Sequence, residues 1–295
     1  MNQDRRPDVG IPYADISWVK RKWVDISYLN ESDSQKLDIY LPEKGEGPFP
    51  VIMSIHGGAF AFGDKQDVQI TPHLKALERG YAVVGVNYRL SREAVFPAGI
   101  QDLKAALFFI KNNASKYKLD ADKVLTWGGS AGAYYSVLLA LTSQEDTFCS
   151  KNQKTGSLDM GIKGVVDWFG PMDFLKMDEQ FALSGKGVCH HNNSNSPESR
   201  FLGRKITEVP ELVKAASPLS YIKGSMPPIL IQHGSHDEVV PVEQSIMLYD
   251  RVKQIAGEEK VKIEILEGAK HGGTAFETHK NLEKVFNFIS SVFYC

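Results

Sequence analysis

The 295-residue sequence has few cysteines, no long apolar run and no marked excess of charge of either sign. Its three cysteines, Cys149, Cys189 and Cys295, are odd in number and widely spaced, which argues against a disulfide-stapled scaffold and favours reduced thiols. No apolar run is long enough to span a bilayer. A net charge of -2, with acidic and basic residues interspersed, argues against a nucleic-acid or anionic-membrane partner and favours a small-molecule one.

The N-terminus also lacks the marks of a secretory leader. Residues 1–7 are polar, and no apolar segment follows them. Together with the few cysteines, this predicts a cytoplasmic protein. The composition leaves the oligomeric state open, with a homodimer as one option.

What the sequence does have, from residue 22 onward, is an alternation of short β-branched runs and longer stretches of helical periodicity. Two early strands separated by a polar turn predict an antiparallel hairpin, and most later strands are nearly continuous apolar runs. The predicted strands are 22–29, 36–41, 51–55, 81–88, 123–127, 164–169, 229–232 and 261–266. The predicted helices are 66–79, 98–117, 131–141, 242–254 and 278–293.

This order of elements predicts an α/β fold with a mostly parallel central sheet flanked by helices, formed by residues 1–295 as a single domain. One segment, about 174–216, contains no predicted strand and includes a strongly polar stretch at 190–197. Because long interruptions of a compact domain are usually functional, we expect this insertion to form a cap.

The strongest chemical signal is Gly-Gly-Ser-Ala-Gly at 128–132, which lies between a predicted strand and a predicted helix. A sharp strand-to-helix turn strains the backbone at its serine, so the flanking positions must be very small. The turn places Ser130 at a helix N-terminus, where the Ala131 amide and the helix dipole stabilise negative charge. The pattern therefore predicts that Ser130 is an acyl-transfer nucleophile, against the alternative of a glycine-rich turn with an incidental serine.

A serine nucleophile needs a histidine base and a carboxylate that orients the histidine. Both are expected after Ser130, the acid in a turn after a later strand and the histidine in a turn after the last strand. The turns after the strands at 229–232 and 261–266 supply Asp237 and His271. Glu238 stays open as an alternative acid.

Most of the other histidines receive structural interpretations. His236 points elsewhere on the turn of Asp237, and His279 is predicted to be an exposed helix residue. Surface positions are predicted for His73, His190 and His191. The last two stand beside Cys189 but lack the spaced partner pair of a zinc site, so we expect no metal and no cofactor.

A second signal is His-Gly-Gly-Ala-Phe at 56–60, at the end of the third predicted strand. Glycines let this loop turn its amides toward a substrate oxyanion, where they act with the amide after the nucleophile. The predicted oxyanion donors are the amides of Gly58, Ala59 and Ala131. His56 is predicted to anchor the loop by hydrogen bonding. A tight turn without a catalytic part is the alternative interpretation.

In this order the motifs resemble those of the α/β-hydrolase esterases related to hormone-sensitive lipase, from about residue 22 to the C-terminus. Four segments are similar to the bacterial branch that includes bifunctional feruloyl and acetylxylan esterases: 87–90, 96–98 with Asp102, 196–199 and 216–218. The resemblance implies an α/β-hydrolase fold and a structural role for Arg89 and Asp102, as a charge pair or helix cap. Ala59 departs from the pattern, because many relatives have a third glycine there, and this weakens assignment to the hormone-sensitive-lipase branch proper.

The residues predict a serine carboxylesterase, and the resemblance implies short-acyl or aromatic-acyl esters, such as acetyl or feruloyl groups on plant-wall carbohydrate. Aromatic residues near strand ends either shape an acyl or sugar pocket or belong to the core: Phe60, Trp127, Trp168 and Phe169. One alternative is an amidase of the formamidase type that acts on kynurenine derivatives. A non-catalytic ligand-binding homologue is disfavoured, because all three triad residues are present.

Overall fold

The computed structural model describes residues 11–149 and 158–294. Residues 1–7 and Cys295, which entered the predictions of location and thiol state, lie outside the described residues. The strands are β1 (Arg21–Ser27), β2 (Lys36–Leu41), β3 (Phe49–Ile55), β4 (Ala82–Val86), β5 (Leu119–Gly129), β6 (Gly164–Trp168), β7 (Ile229–Gly234) and β8 (Val261–Leu266). They form one sheet in the order β1-β2-β4-β3-β5-β6-β7-β8.

The sheet is mostly parallel, as predicted. The pairs β1-β2 and β2-β4 are antiparallel, and all later neighbours are parallel. The central strands are continuous apolar runs because both of their faces are covered. On β3, Val51 and Met53 belong to one hydrophobic core, whereas Ile52 belongs to the core on the opposite face.

Helices cover both faces of this sheet: α2 and α3 contribute to the first core and α9 to the second. The α-helices are α1 (Thr71–Leu74), α2 (Ala98–Asn112), α3 (Ala131–Thr142), α4 (Met177–Ser184), α5 (Pro197–Leu202), α6 (Pro210–Ala216), α7 (Glu243–Ala256), α8 (Thr274–Glu277) and α9 (His279–Tyr294). Short 3-10 helices are Val68–Ile70, Lys75–Arg79, Phe174–Lys176, Ile206–Glu208, Pro218–Tyr221 and Glu258–Lys260. Across 11–149 and 158–294, no helix has the length and apolar character needed to cross a membrane.

Two predicted helices differ from the structure. The single helix predicted over 66–79 is wrong, because this stretch divides into 3-10, α and 3-10 turns around Pro72, which has no N–H to donate. The helix predicted over 98–117 ends at Asn112. There the Asn113 side chain donates to the Phe109 carbonyl at 2.9 Å, and Lys118 takes a positive φ of 57° just before β5.

The segment predicted as a cap, 174–216, lies between β6 and β7 and contains α4, α5 and α6. The Ser196 side chain accepts the Ser199 N–H at 3.0 Å and so caps the N-terminus of α5. The ring of Phe201 stacks on Phe60 with centroids 4.2 Å apart, and the Tyr134 hydroxyl donates to the Ala216 carbonyl at 2.6 Å. These contacts fasten the segment to α3 and to the loop after β3. A lid function of this segment stays a prediction.

The predicted charge pair of Arg89 and Asp102 is present. The Arg89 guanidinium donates to both carboxylate oxygens of Asp102, at 2.8 and 2.7 Å, and the Arg89 backbone N–H donates at 2.9 Å. Asp102 is completely buried on α2 and also accepts from Gln35. The pair therefore holds the segment after β4 against α2, which is the structural role predicted for it.

Candidate active site

The turn from β5 to α3 forces Ser130 into a strained backbone conformation, with φ 55° and ψ −123°. Its neighbours must be glycine for steric reasons. A Cβ on Gly128 would lie 2.3 Å from the carbonyl carbon of Gly132, and a Cβ on Gly132 would lie 2.1 Å from the Ile55 carbonyl oxygen. The backbone of this turn therefore packs directly on the end of β3, and the serine hydroxyl is held at the carboxyl end of β5.

Three predicted residues from three separate chain segments meet at this turn. The Nε2 atom of His271 lies 3.0 Å from the Oγ of Ser130, and its Nδ1 atom lies 2.7 Å from the Oδ2 of Asp237. Asp237 follows β7 and His271 follows β8, at the carboxyl ends of neighbouring strands. The alternative acid, Glu238, instead faces Lys270 at 3.3 Å, and both of these side chains are exposed.

The carboxylate of Asp237 is completely buried and fully hydrogen-bonded. Its Oδ1 accepts the N–H groups of Val239 and Val240 at 2.8 and 2.9 Å. Its Oδ2 lies against His271 on one side and 3.1 Å from the Nε2 of His233 on the other. Burial alone would raise the pKa of Asp237, but the hydrogen bonds from His233 and His271 outweigh it, and the pKa lies well below its ordinary value. Asp237 is therefore ionised throughout the neutral range.

His233 was given no role by the sequence analysis, although it begins the same His-Gly-Ser-His-Asp motif as Asp237. It is completely buried in β7, and its Nδ1 lies 2.7 Å from the Ser245 hydroxyl of α7. The sequence did offer one indication of this role, since His233 lies at the end of an apolar strand four residues before the predicted acid. The distance between the two side chains could not be predicted from the sequence.

The loop after β3 brings the predicted oxyanion donors toward the same place. Gly58 has φ 120°, and a Cβ there would lie 2.1 Å from the Phe62 carbonyl oxygen, while Ala59 takes a positive φ of 50°. Gly58 and Ala59 line the cavity that also contains Ser130. Within the described chain, the amides of Gly58, Ala59 and Ala131 donate no hydrogen bond, which leaves them available to a substrate oxygen.

The predicted anchoring role of His56 agrees with its contacts. His56 is buried, its Nδ1 lies 2.8 Å from the Gly57 carbonyl oxygen, and its ring stacks on Tyr88 at 4.5 Å. The Tyr88 hydroxyl donates to the His56 carbonyl at 2.9 Å. These contacts hold the start of the loop in place, as an anchoring role requires.

A cavity of about 470 Å³ opens at Ser130 and His271. Its walls are mainly apolar, and the residues that supply them are Val68, Ile70, Pro72, Trp168, Phe169, Val239 and Phe276. Of the four aromatic residues singled out in the sequence, Trp168 and Phe169 line this cavity. Phe60 and Trp127 are buried core residues instead. The space is sufficient for a small ester and is walled by rings that suit an apolar or aromatic group.

Comparison with known proteins places this geometry in a family. Residues 37–252 match the BD-FAE family, and the match includes Ser130 and Asp237. The chain belongs to the BD-FAE family.

Curated relatives of this BD-FAE chain are esterases by name. It is 30% identical over 244 residues to a probable carboxylic ester hydrolase, LipM, of Mycobacterium tuberculosis (strain ATCC 25618 / H37Rv), covering 82% of this chain and 54% of that protein. It is 26% identical over 249 residues to an isoprenylcysteine alpha-carbonyl methylesterase of Arabidopsis thaliana, covering 80% of this chain and 53% of that protein. The chain thus spans about half the length of the curated relatives it matches.

Solved structures agree with the fold of the BD-FAE chain. A bifunctional GH43-CE protein of Bacteroides eggerthii matches with a TM-score of 0.82 at 29% identity, over 92% of this chain and 35% of that one. A truncated carbohydrate esterase from gut microbiota matches with a TM-score of 0.79 at 29% identity, over 99% of this chain and 100% of that one. A thermophilic esterase of Thermogutta terrifontis, at 21% identity and a TM-score of 0.72 over 93% and 94% of the two chains, shares the fold. The predicted α/β-hydrolase fold is confirmed.

Two of the remaining histidines of this BD-FAE chain are not where the sequence placed them. His73 is buried and lines the cavity, with its ring stacked on Trp127 at 4.1 Å and its Nδ1 2.6 Å from the Ser54 hydroxyl. Burial lowers the pKa of His73 to about 3, so its ring is neutral. His191 is also buried, 3.0 Å from Glu198. The surface predictions for both are wrong, because His73 packs on Trp127 and Ser54 of the sheet and His191 packs on Phe181 of α4.

The other three agree with their interpretations: His190 and His279 are exposed, and His236 is exposed with its Nδ1 2.9 Å from the Ser235 hydroxyl. Among residues 11–149 and 158–294, no group of three or more His, Cys, Asp and Glu side chains is arranged to hold a metal ion. Cys149 and Cys189 are free thiols.

A buried carboxyl group lies on β6 behind the site. Asp167 accepts the Gly170 N–H at 3.0 Å through Oδ1, and its Oδ2 has no hydrogen-bond partner in the described part of the chain. Burial raises the pKa of Asp167 to about 6, although the Gly170 N–H and nearby His233 act in the opposite direction. The charged form of this side chain is therefore costly in the folded state.

Replacement of Asp167 by Asn is expected to stabilise the fold at high pH more than at low pH. The pKa of Asp167 in the folded protein lies above its ordinary value of 3.8, so the folded state binds this proton more tightly than the unfolded state does. The free energy of unfolding of the wild type therefore falls as pH rises through about 6. Asp167→Asn should raise the free energy of unfolding by about 2 to 3 kcal/mol at pH 8 and by less than about 1 kcal/mol at pH 4. Urea denaturation at both pH values measures the difference. An equal effect at pH 4 and pH 8 contradicts this explanation.

Proposed function

We propose that this protein is a serine carboxylesterase with Ser130 as nucleophile, His271 as base and Asp237 as the acid that orients it. The observation that carries the proposal is the continuous contact from the Ser130 Oγ through His271 to the Asp237 carboxylate, at 3.0 and 2.7 Å. These are the separations that proton transfer and imidazole orientation require. The names of the curated relatives support an ester as the substrate.

In the proposed first step, Ser130 Oγ attacks the ester carbonyl carbon while its proton passes to His271 Nε2. The carbonyl oxygen becomes an oxyanion, which accepts hydrogen bonds from the amides of Gly58, Ala59 and Ala131. The charged His271 is stabilised by Asp237, which stays ionised. His271 then gives its proton to the departing alcohol oxygen, and the acyl group stays on Ser130.

In the second step, a water molecule replaces the alcohol. His271 takes a proton from the water, and the resulting hydroxide attacks the acyl carbon of the Ser130 ester. The same three amides hold the second oxyanion, and its collapse releases the carboxylic acid as the proton returns to the Ser130 oxygen. Every proton transfer in this cycle uses the one nitrogen that lies 3.0 Å from Ser130.

We propose short-acyl or aromatic-acyl esters as substrates, including those carried on carbohydrate. The aromatic walls formed by Trp168, Phe169 and Phe276 support an apolar or planar acyl group. The similarity in structure to a carbohydrate esterase from gut microbiota supports a sugar as the alcohol. A cytoplasmic location is also proposed, and it rests on the sequence predictions alone.

A panel of p-nitrophenyl esters from acetyl to decanoyl, with methyl ferulate and acetylated xylan beside it, tests the substrate proposal. We expect kcat/KM for acetyl to butyryl esters to exceed that for the decanoyl ester by at least about 10-fold, because the proposal places a short acyl group against the rings of Trp168, Phe169 and Phe276. N-formylkynurenine is the comparison substrate. Preference for decanoyl esters contradicts the short-acyl proposal, and faster turnover of N-formylkynurenine than of every ester makes the protein an amidase.

A further inference from the structure

The Oδ2 atom of Asp237 faces two histidines, of which the proposed mechanism uses only one. His271 approaches it at 2.7 Å and His233 at 3.1 Å. The side chains of His233 and Asp237 are both completely buried, so their contact is shielded from bulk solvent. A buried histidine that shares the acceptor atom of the proposed base is therefore a candidate for a role in the reaction.

The hydrogen-bond partners of His233 determine which of its nitrogens carries the proton. Its Nε2 lies 3.0 Å from the Val240 carbonyl oxygen and 3.1 Å from the Asp237 carboxylate, and both of these can only accept. Nε2 must therefore be protonated. Its Nδ1 faces the Ser245 hydroxyl at 2.7 Å, which can donate to it. Each ring nitrogen therefore has a hydrogen-bond partner, and the Nε2–H is the donor that faces Asp237.

We infer that His233 is a positioning residue that fixes the Asp237 carboxylate for His271, through its Nε2–H donated to Oδ2 and its Nδ1 held by Ser245. This inference rests on the proposed function. The Val239 and Val240 amides hold only Oδ1, so without His233 the oxygen that faces the base has no second donor among the described residues. A carboxylate held from both sides keeps the imidazole of His271 aligned with Ser130.

The donor from His233 also sets the charge that His271 experiences. By sharing the negative charge of Oδ2, it weakens the attraction between Asp237 and a protonated His271. Loss of the donor therefore strengthens this attraction, and the acidic limb of the rate profile moves to higher pH. The titratable groups next to His233 are Asp237 on its own turn and Asp167 on β6, and His271 lies on the other side of Asp237.

The test uses two variants, His233→Gln and His233→Asn, whose side-chain amides lie at different distances from the backbone. The Nε2 of a glutamine occupies the place of a histidine Nε2 and can donate to Asp237, whereas the amide of an asparagine reaches only the Nδ1 position beside Ser245. We expect His233→Gln to keep kcat for p-nitrophenyl acetate within about threefold of wild type. We expect His233→Asn to lower kcat by about 10- to 100-fold with little change in KM, and to move the acidic limb up by about half a pH unit or more.

A second readout separates this inference from the ester proposal. Labelling of the Ser130 hydroxyl by a fluorophosphonate probe needs the nucleophile and base but no ester substrate. The labelling rate should fall in His233→Asn and be kept in His233→Gln, even if the substrate panel fails. Thermal unfolding of both variants reports the stability of the fold. If the two variants retain wild-type kcat, labelling rate and pH profile, or lose them equally, His233 is a structural residue only and the inference is overturned.

Discussion

The Ser130→Ala protein is expected to lose hydrolysis of p-nitrophenyl acetate by about 10,000-fold or more in kcat. The change removes one oxygen atom and leaves the Cβ in place, so the strained φ of 55° and the contacts of Gly128 and Gly132 are unchanged. His271 then has no proton to accept at 3.0 Å, and no acyl intermediate forms. Steady-state rates and fluorophosphonate labelling measure the loss.

Ser220→Ala is the matched control for this variant. The Ser220 hydroxyl is exposed and donates to the Lys214 carbonyl at the surface, so its removal should leave kcat within about twofold of wild type. Both variants should unfold at the temperature of the wild type. If Ser130→Ala and Ser220→Ala both turn over the ester at the wild-type rate, Ser130 is not the nucleophile.

The fold was predictable because its signals are local. The central strands are covered on both faces and so appear as apolar runs, and the glycines around Ser130 are required by a steric contact that any such turn creates. The order of the motifs along the chain then selected Asp237 and His271, and the structure brings both to Ser130.

The parts that could not be predicted depend on distant contacts. His73 is polar, yet it is buried because Trp127 of β5 and Ser54 of β3 pack on it. His233 sits in an apolar strand, and its partner Ser245 lies on a helix that no spacing rule connects to it. The bounds of two helices were mispredicted for a more local reason. Pro72 interrupts one predicted helix and Asn113 ends the other, although the apolar periodicity continues in both.

The residues that line the cavity were also difficult to predict from the sequence. They combine residues from the 3-10 and α turns after β3, from the end of β6 and from α8, which are far apart in sequence. The sequence offered four aromatic residues near strand ends as pocket or core residues, and of these only Trp168 and Phe169 are among the residues that line the cavity. Phe276 and Val68 gave no such signal, since an aromatic or aliphatic residue in a helix is most often part of the core.

Replacement of Asp237 by Asn is expected to lower kcat by about 1,000- to 10,000-fold without unfolding the protein. The Val239 and Val240 N–H groups cannot change their direction, so the one carbonyl oxygen of the asparagine must stay with them. Its NH₂ group then faces the Nδ1 of His271, which has to become an acceptor. The proton of a neutral His271 moves to Nε2, the nitrogen that faces Ser130, and the imidazole can no longer act as a base.

Glu238→Gln is the matched control, because it makes the same chemical change at the neighbouring residue and tests the other acid that the sequence left open. Glu238 is exposed and faces Lys270 at 3.3 Å, a contact of little energetic value, so kcat should stay within about twofold of wild type. The pH dependence of kcat/KM should also be unchanged in Glu238→Gln, since this side chain does not touch His271. A large loss in Glu238→Gln with a small one in Asp237→Asn reverses the assignment of the acid, because only a carboxylate in contact with the base can hold its tautomer.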